Sequence, residues 1–241
     1  MKSVIVIPAR MGASRFPGKP LVDLLGKPMV QWVYEAAQQS NVADKILVAT
    51  PDAEIVEATR AFGGEAVLTS HDHQTGTDRI AEVASLVEAD FYINVQGDEP
   101  LIQSASIAAC AKPLMDDASV QMSSVYSYCD ESEFDNPAVV KVVTDEAGFA
   151  LYFSRFAIPF ERNQRIEKVK KHVGLYGYRR QALMDFATWK MGVLETAESL
   201  EQLRFMEHGI RIKMSEAAGT ELAVDTPEQA DEVRQILASR R

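Results

Sequence analysis

Apolar positions in the first hundred residues fall into short unbroken runs that alternate with amphipathic stretches. Val4 to Ile7 is the first run and stops at Pro8. A continuous run of this length predicts a strand buried on both faces of a parallel sheet. Helical spacing follows from Pro28, as the first helical residue, through Trp32, Val33 and Ala36 to Ser40-Asn41. Lys45 to Thr50 is the next strand. Asp52 is placed to cap a helix through Ile55, Val56 and Ala58 that stops at Gly63-Gly64. Ala66 to Leu68 is a third strand. Thr77 or Asp78 opens a helix through Ile80, Val83, Ala84 and Val87, and Phe91 to Val95 is a fourth strand. This βαβα rhythm predicts an α/β fold, a mostly parallel sheet with helices on both faces.

The rhythm changes after residue 120. Val139 to Thr144 and Phe149 to Phe153 flank Asp145-Glu146-Ala147-Gly148 and read as a hairpin. Val173 to Tyr178 reads as a strand, followed by an amphipathic helix through Leu183, Phe186 and Trp189. The pattern divides into a core over 1–120, a smaller inserted α/β lobe over 121–200, and a return to the core over 201–241. The return ends in a helix from Pro227, with Thr226 as its N-cap.

A chain of 241 residues that is 46% hydrophobic is long and apolar enough for a sizeable core. Its formal net charge of −10 argues against nucleic acid and anionic membranes as partners, so any anion site must be local. Cys110 and Cys129 are too far apart to read as a metal pair or redox motif and fit reduced thiols of a cytoplasmic protein. No run approaches a transmembrane length, and the first apolar run is too short for a signal peptide.

Against that acidic background, the loop after the first strand concentrates Arg10, Arg15 and Lys19 among Gly12, Ala13, Ser14 and Gly18. It leaves the carboxyl end of a strand, where open α/β sheets bind ligands. Small residues let backbone N–H groups approach an anion, and the three cations neutralise phosphate charge. Asp98 follows another strand end and a glycine, at the same sheet edge. A carboxylate beside a phosphate-binding loop suits Mg2+, which keeps to oxygen ligands. Asp225 precedes the Thr226-Pro227 helix start. Gly76-Thr77-Asp78-Arg79 offers polar groups for a nucleobase edge. His71, His73, His172 and His208 form no metal set by spacing. The basic run from Arg162 to Lys171, interspersed with Glu161 and Glu167, reads as a solvated face, with the flank of an anionic-substrate site as the alternative. No Walker loop, dinucleotide fingerprint or Ser-His-Asp logic is present.

The segments Pro8-Ala9-Arg10…Ser14-Arg15-Phe16-Pro17-Gly18-Lys19-Pro20-Leu21, Thr75-Gly76-Thr77-Asp78-Arg79 and Asn94-Val95-Gln96-Gly97-Asp98-Glu99-Pro100 resemble the cytidylyltransferases that activate 3-deoxy-manno-octulosonate (KDO). The resemblance continues through Tyr152 to Arg155, Lys171 to Tyr178, Leu200 to Arg204 and Val224 to Pro227. Met11-Gly12-Ala13 stands where that family more often has Tyr-x-Ser. The resemblance implies a Rossmann-like nucleotidyltransferase fold, a cytoplasmic homodimer, and transfer of CMP from CTP to KDO for lipopolysaccharide synthesis. It places Pro8, Ala9, Arg10, Gly12, Ser14, Arg15, Lys19, Gly76, Thr77, Arg79 and Gln96 on CTP. Gln96, Arg155, His172, Tyr176, Glu201 and Gln202 fall around the sugar acid, with Mg2+ on Asp98 and Asp225. Arg10, Arg15, Lys19 and Asp98 carry the catalytic charge. A cytidylyltransferase for 8-amino-KDO or a sialic-type acid is the alternative within this chemistry. A nucleotide-binding regulator without turnover is the alternative outside it, and retention of both Asp98 and Asp225 speaks against it.

Overall fold

The computed structural model describes residues 1–12, 15–73, 75–163, 166, 168–218 and 222–240. β1 (Ser3–Pro8) sits in the middle of the sheet and is buried along five of its six residues. A tight hairpin of β2 (Asp23–Leu24) and β3 (Lys27–Pro28) follows, turning through Leu25 and Gly26, both at positive φ. That pair of left-handed residues is what a two-residue primed turn requires. The next elements are α1 (Met29–Ser40), β4 (Lys45–Thr50), α2 (Ala53–Ala61), β5 (Ala66–Leu68), α3 (Gly76–Leu86) and β6 (Phe91–Asn94). Pro28 precedes α1 as its N-cap instead of opening it. α3 starts at Gly76 because Thr75 caps it: the Thr75 hydroxyl accepts from Asp78 N, and the Asp78 carboxylate accepts from Thr75 N.

α4 (Ser104–Asp116), β7 (Met122–Tyr128), β8 (Lys141–Thr144), β9 (Ala150–Ser154) and β10 (Lys170–Arg179) follow. The chain closes with α5 (Arg180–Phe186), α6 (Val193–Glu198), α7 (Gln202–Glu207), β11 (Ile212–Glu216) and α8 (Pro227–Ser239). α5 stops at Phe186, short of Trp189, whose ring stacks on His208 with centroids 4.0 Å apart.

One sheet runs in the order β11-β7-β10-β6-β1-β4-β5, and β8 and β9 extend it beside β10. β1 is parallel to both β4 and β6, whereas β10 is antiparallel to β6 and β7. Segment 121–200 therefore contributes β7 and β10 to the central sheet and β8–β9 as a side wing. Alternate residues of β1 feed two cores. Val4 and Val6 pack with α3, α5 and Phe205; Ile5 and Ile7 pack with α1 and α4. Each such buried aliphatic side chain contributes up to about 1.5–3 kcal/mol. A third apolar cluster of Leu24, Met29, Leu101, Val224, Ala230 and Val233 docks α8 on the β2–β3 hairpin rather than on the sheet. The final helix thereby brings Asp225 to the carboxyl end of β1.

The order in which strands are added reverses at β1. The crossover from β1 leads to β4 on one side, and the chain returns to β6 on the other. A crevice at the carboxyl ends of β1 and β6 is the geometric consequence. Among the described residues, no helix is long and apolar enough to cross a membrane.

Candidate functional site

The crevice is a cavity of about 310 Å3 lined by Pro8, Ala9, Arg10, Arg15, Lys19, Pro20, Met29, His73, Thr75, Gly76, Arg79, Gln96, Gly97, Asp98 and Asp225. Its floor depends on Gly97. A Cβ there would sit 2.6 Å from the Pro8 carbonyl oxygen, so only glycine lets the ends of β1 and β6 meet this closely. Asp98 is thereby set directly opposite the first loop. The loop is closed by Gly18 N donating to Met11 O at 2.9 Å, with Gly18 at positive φ. Asp52 at the start of α2 does not cap its helix with its side chain. Its carboxylate accepts from Met11 N at 2.7 Å instead and ties the loop to the sheet edge.

Lys19 is the hub. Its Nζ donates to Asp98 Oδ2 at 2.7 Å, Asp225 Oδ1 at 3.0 Å and Val224 O at 3.0 Å. Burial works to lower the Lys19 pKa, and the two carboxylates outweigh it, so the net shift is upward. Arg15 Nη2 donates to Asp225 Oδ2 at 2.8 Å. Val224 N donates to Asp98 O at 2.8 Å, which fixes the backbone carrying Asp225 against the backbone carrying Asp98. Two carboxylates thus converge on one cationic atom, an all-oxygen donor pair of the kind Mg2+ accepts.

Arg79 reaches back from α3 and donates to Thr69 Oγ1 and, at 3.0 Å, to Ser70 O. Gly76 packs against Pro8, where an added Cβ would lie 3.6 Å from Cγ. Thr77 is buried away from the cavity, its hydroxyl beside Tyr178 and Glu201. Gly12 does not line the cavity, and Ala13 and Ser14 lie outside the described residues.

A second cluster lies along β10 and the start of α7. Tyr176 donates from its hydroxyl to Gln202 Oε1 at 3.3 Å. His172 Nε2 lies 3.0 Å from Ser124 Oγ, and its ring is edge-on to Phe153 and tilted against Tyr176. Desolvation pushes the His172 pKa down to about 3, so the ring is neutral. Burial raises Glu201, opposed by the Thr77 and Thr75 hydroxyls. Burial and the neighbouring Asp98 push Glu99 up to about 8. Four buried polar atoms here have no hydrogen-bond partner among the described residues: Asn94 Oδ1, Glu99 Oε2, Glu201 Oε2 and Gln202 Nε2. Unpaired buried groups each cost about 1–3 kcal/mol, and such a group of them marks a place built for a polar ligand. Gln96 and Glu99 both pass over Gly174 of β10, where an added Cβ would lie 3.7 Å from Gln96 Cγ and 3.5 Å from Glu99 Oε1. Gln96 lines the first cavity and so stands between the two groups.

Arg155 is held differently from the other predicted site residues. Its guanidinium donates to the carbonyls of Glu198 at 2.8 Å, Pro137 at 3.1 Å and Ser199 at 3.4 Å. Sequence reasoning did not assign Asn94, Glu99, Ser124 or His73 to the site. Asn94 and Glu99 flank Gln96-Gly97-Asp98, so the strand-end motif itself was the available signal. Ser124 and His73 carried none.

A cytidylyltransferase family model matches residues 4–212. The 3-deoxy-manno-octulosonate cytidylyltransferase of Escherichia coli is 46% identical over 237 residues, 98% of this chain and 96% of that one. The enzyme of the same name from Geobacter sulfurreducens is 47% identical over 249 residues, covering 98% of this chain and 100% of its own. A solved structure of CMP:2-keto-3-deoxy-manno-octonic acid synthetase complexed with CTP superposes with a TM-score of 0.97, at 45% identity and full coverage of both chains. The 4-diphosphocytidyl-2C-methyl-D-erythritol synthase of Anaerococcus prevotii shares the fold, with a TM-score of 0.67 at 10% identity over 98% of this chain and 99% of its own.

Proposed function

Because the chain belongs to the cytidylyltransferase family, in its KDO branch, we propose that it joins CTP to KDO, giving CMP-KDO and pyrophosphate for lipopolysaccharide synthesis. The observation that carries this reading is the convergence of Lys19, Arg15, Asp98 and Asp225 at one end of a cavity. Glu201, which carries one of the unpartnered polar atoms, is tied to that cavity by its hydrogen bond with the lining residue Thr75.

In this reading the cavity takes CTP, and Arg10, Arg15 and Lys19 stabilise the triphosphate and the departing pyrophosphate. Arg15 and Lys19 exchange their carboxylate partners for phosphate oxygens as the nucleotide enters. Asp98 and Asp225, relieved of Lys19, are the residues that would hold Mg2+. The ion supplies charge neutralisation at the α-phosphate and a lowered pKa for a nearby hydroxyl. Gln202, Glu201, Tyr176 and His172 orient the sugar acid, with Gln96 reaching both substrates. The neutral His172 hydrogen-bonds the sugar without adding charge. Arg155 takes the sugar carboxylate, and its 3.4 Å contact to Ser199 O is the bond it gives up most readily. The KDO anomeric oxygen attacks the α-phosphorus, its bond to phosphorus forms as the bond to the β-phosphate oxygen breaks, and the hydroxyl proton leaves to solvent. Catalysis is then positioning and charge stabilisation.

On the domain scale, 1–120 would serve the nucleotide and 121–200 the sugar and a dimer contact, while 201–241 returns to the core with Glu201 and Gln202 at the sugar and Asp225 at the metal. Phe156 and Phe160, 77% and 85% exposed, support burial against a second copy. The free thiols Cys110 and Cys129 suit the reducing cytoplasm. The test is pyrophosphate release with CTP or UTP crossed with KDO, 8-amino-KDO and sialic acid. CTP with KDO is expected to give the highest kcat/KM. No release with CTP and any of these acids would overturn the assignment.

A further inference from the structure

Lys19 and Arg15 pair with Asp98 and Asp225 on the cavity lining, and His73 lines the same cavity together with the start of α3 and Arg79. His73 Nε2 lies 2.5 Å from Glu82 Oε2, and the same carboxylate oxygen accepts from Ser70 N at 2.9 Å. Burial disfavours the Glu82 carboxylate, but the Ser70 N–H, His73 and Arg79 outweigh it and hold its pKa below the usual value. An ionised carboxylate only accepts, so the proton between the two groups sits on His73 Nε2. Nδ1 is then the ring nitrogen that Glu82 does not engage. α3 fixes this arrangement on two sides, through Glu82 on Ser70 and His73 and through Arg79 on Thr69 and Ser70.

We infer that His73 is a specificity-determining residue whose Nδ1 accepts a hydrogen bond from the exocyclic amine of the cytosine base. The inference rests on the cavity being a CTP site. Cytosine presents a donor at C4 where uracil presents an oxygen acceptor. A fixed lone pair therefore attracts the first and repels the second, and Glu82 acts as the group that fixes the tautomer. Phosphate is the wrong neighbour for that lone pair, since two acceptors repel, and the cavity already supplies four permanent cations, Arg10, Arg15, Lys19 and Arg79, for it.

Calorimetric binding of CTP, UTP and pyrimidin-2-one riboside triphosphate, which lacks the amine, tests this on the wild type and on His73→Gln. Glutamine keeps a donor for Glu82 and has no acceptor at the Nδ1 position. The wild type is expected to bind CTP on the order of tenfold or more tighter than either other nucleotide. His73→Gln is expected to lose most of that ratio, through weaker CTP binding with UTP little changed. An unchanged ratio, or equal weakening of CTP and UTP, would show a scaffold or phosphate role and overturn the inference. Should His73→Gln fail to fold, the wild type alone decides: a loss of tenfold or more on removing the amine supports it, and no loss overturns it. Pyrophosphate release by the wild type with KDO is read separately. Selective CTP binding without turnover would sink the proposed reaction and leave the role of His73 standing.

Discussion

The Lys19 ammonium and the Arg15 guanidinium together balance the Asp98 and Asp225 carboxylates before any substrate arrives. Removing one carboxylate leaves the shape intact and the balance broken. Asp98→Asn is therefore expected to lower kcat by at least about a hundredfold while circular dichroism stays native, since transition-state charge is what the site addresses. Near-normal turnover would remove Asp98 from the metal pair. His172 gives a prediction on stability. Its pKa is ordinarily near 6.5 and falls to about 3 in the folded chain, so below 6.5 the unfolded state takes up the proton first. Its contribution is fully present above pH 6.5 and is lost as pH falls from there towards 3. Thermal melts of wild type and His172→Gln at pH 7 and pH 4 should show the wild type losing more on acidification. Equal losses would mean that the ring is not desolvated. Residues of the charged loop were legible because cations crowded beside a strand end have few structural uses. His73 was not, because its role depends on Glu82, which lies on the next helix and reaches it only through the fold.

At the scale of elements, close approaches between strands set the site. Gly97 lets β6 meet β1 at Pro8, and Gly177 lets β10 pass Ser123 and Leu114, where a Cβ would lie 2.4 and 2.6 Å away. Gly97→Ala should destabilise the fold by about 1–3 kcal/mol in urea melts. Its kcat/KM should fall about tenfold or more beyond that of Gly177→Ala at matched folded fraction, because only Gly97 carries Asp98. Equal kcat/KM in the two variants would contradict this. The parallel strands β1, β4 and β6 were readable as apolar runs. β7 was not: Ser123 and Ser124 are fully buried in it, and Met-Ser-Ser-Val-Tyr-Ser-Tyr shows no apolar alternation. α4 escaped because its sequence is rich in small residues and carries Pro113 within the helix. The start of α3 was placed one or two residues late, since Thr75 and Asp78 close a capping box that the Gly-Thr-Asp order disguises.

At the scale of the molecule, the reversal of strand order at β1 gathers residues from both ends of the chain at one crevice, with Asp225 carried in ahead of α8. The wing of β8 and β9 leaves Phe156 and Phe160 facing outward beyond β9. Sedimentation equilibrium is expected to give a dimer for the wild type and a monomer for Phe160→Asp; a monomeric wild type would end the dimer assignment. The proposed division of the site into a nucleotide half and a sugar half follows the order of motifs, whereas the proposed bridge at Gln96 needed β10 laid beside β6. Gln202→Leu tests that division, through the KM of each substrate in steady-state pyrophosphate release. KM for KDO is expected to rise about tenfold or more while KM for CTP stays within about twofold. An unchanged KM for KDO, or an equal rise for both substrates, would contradict it.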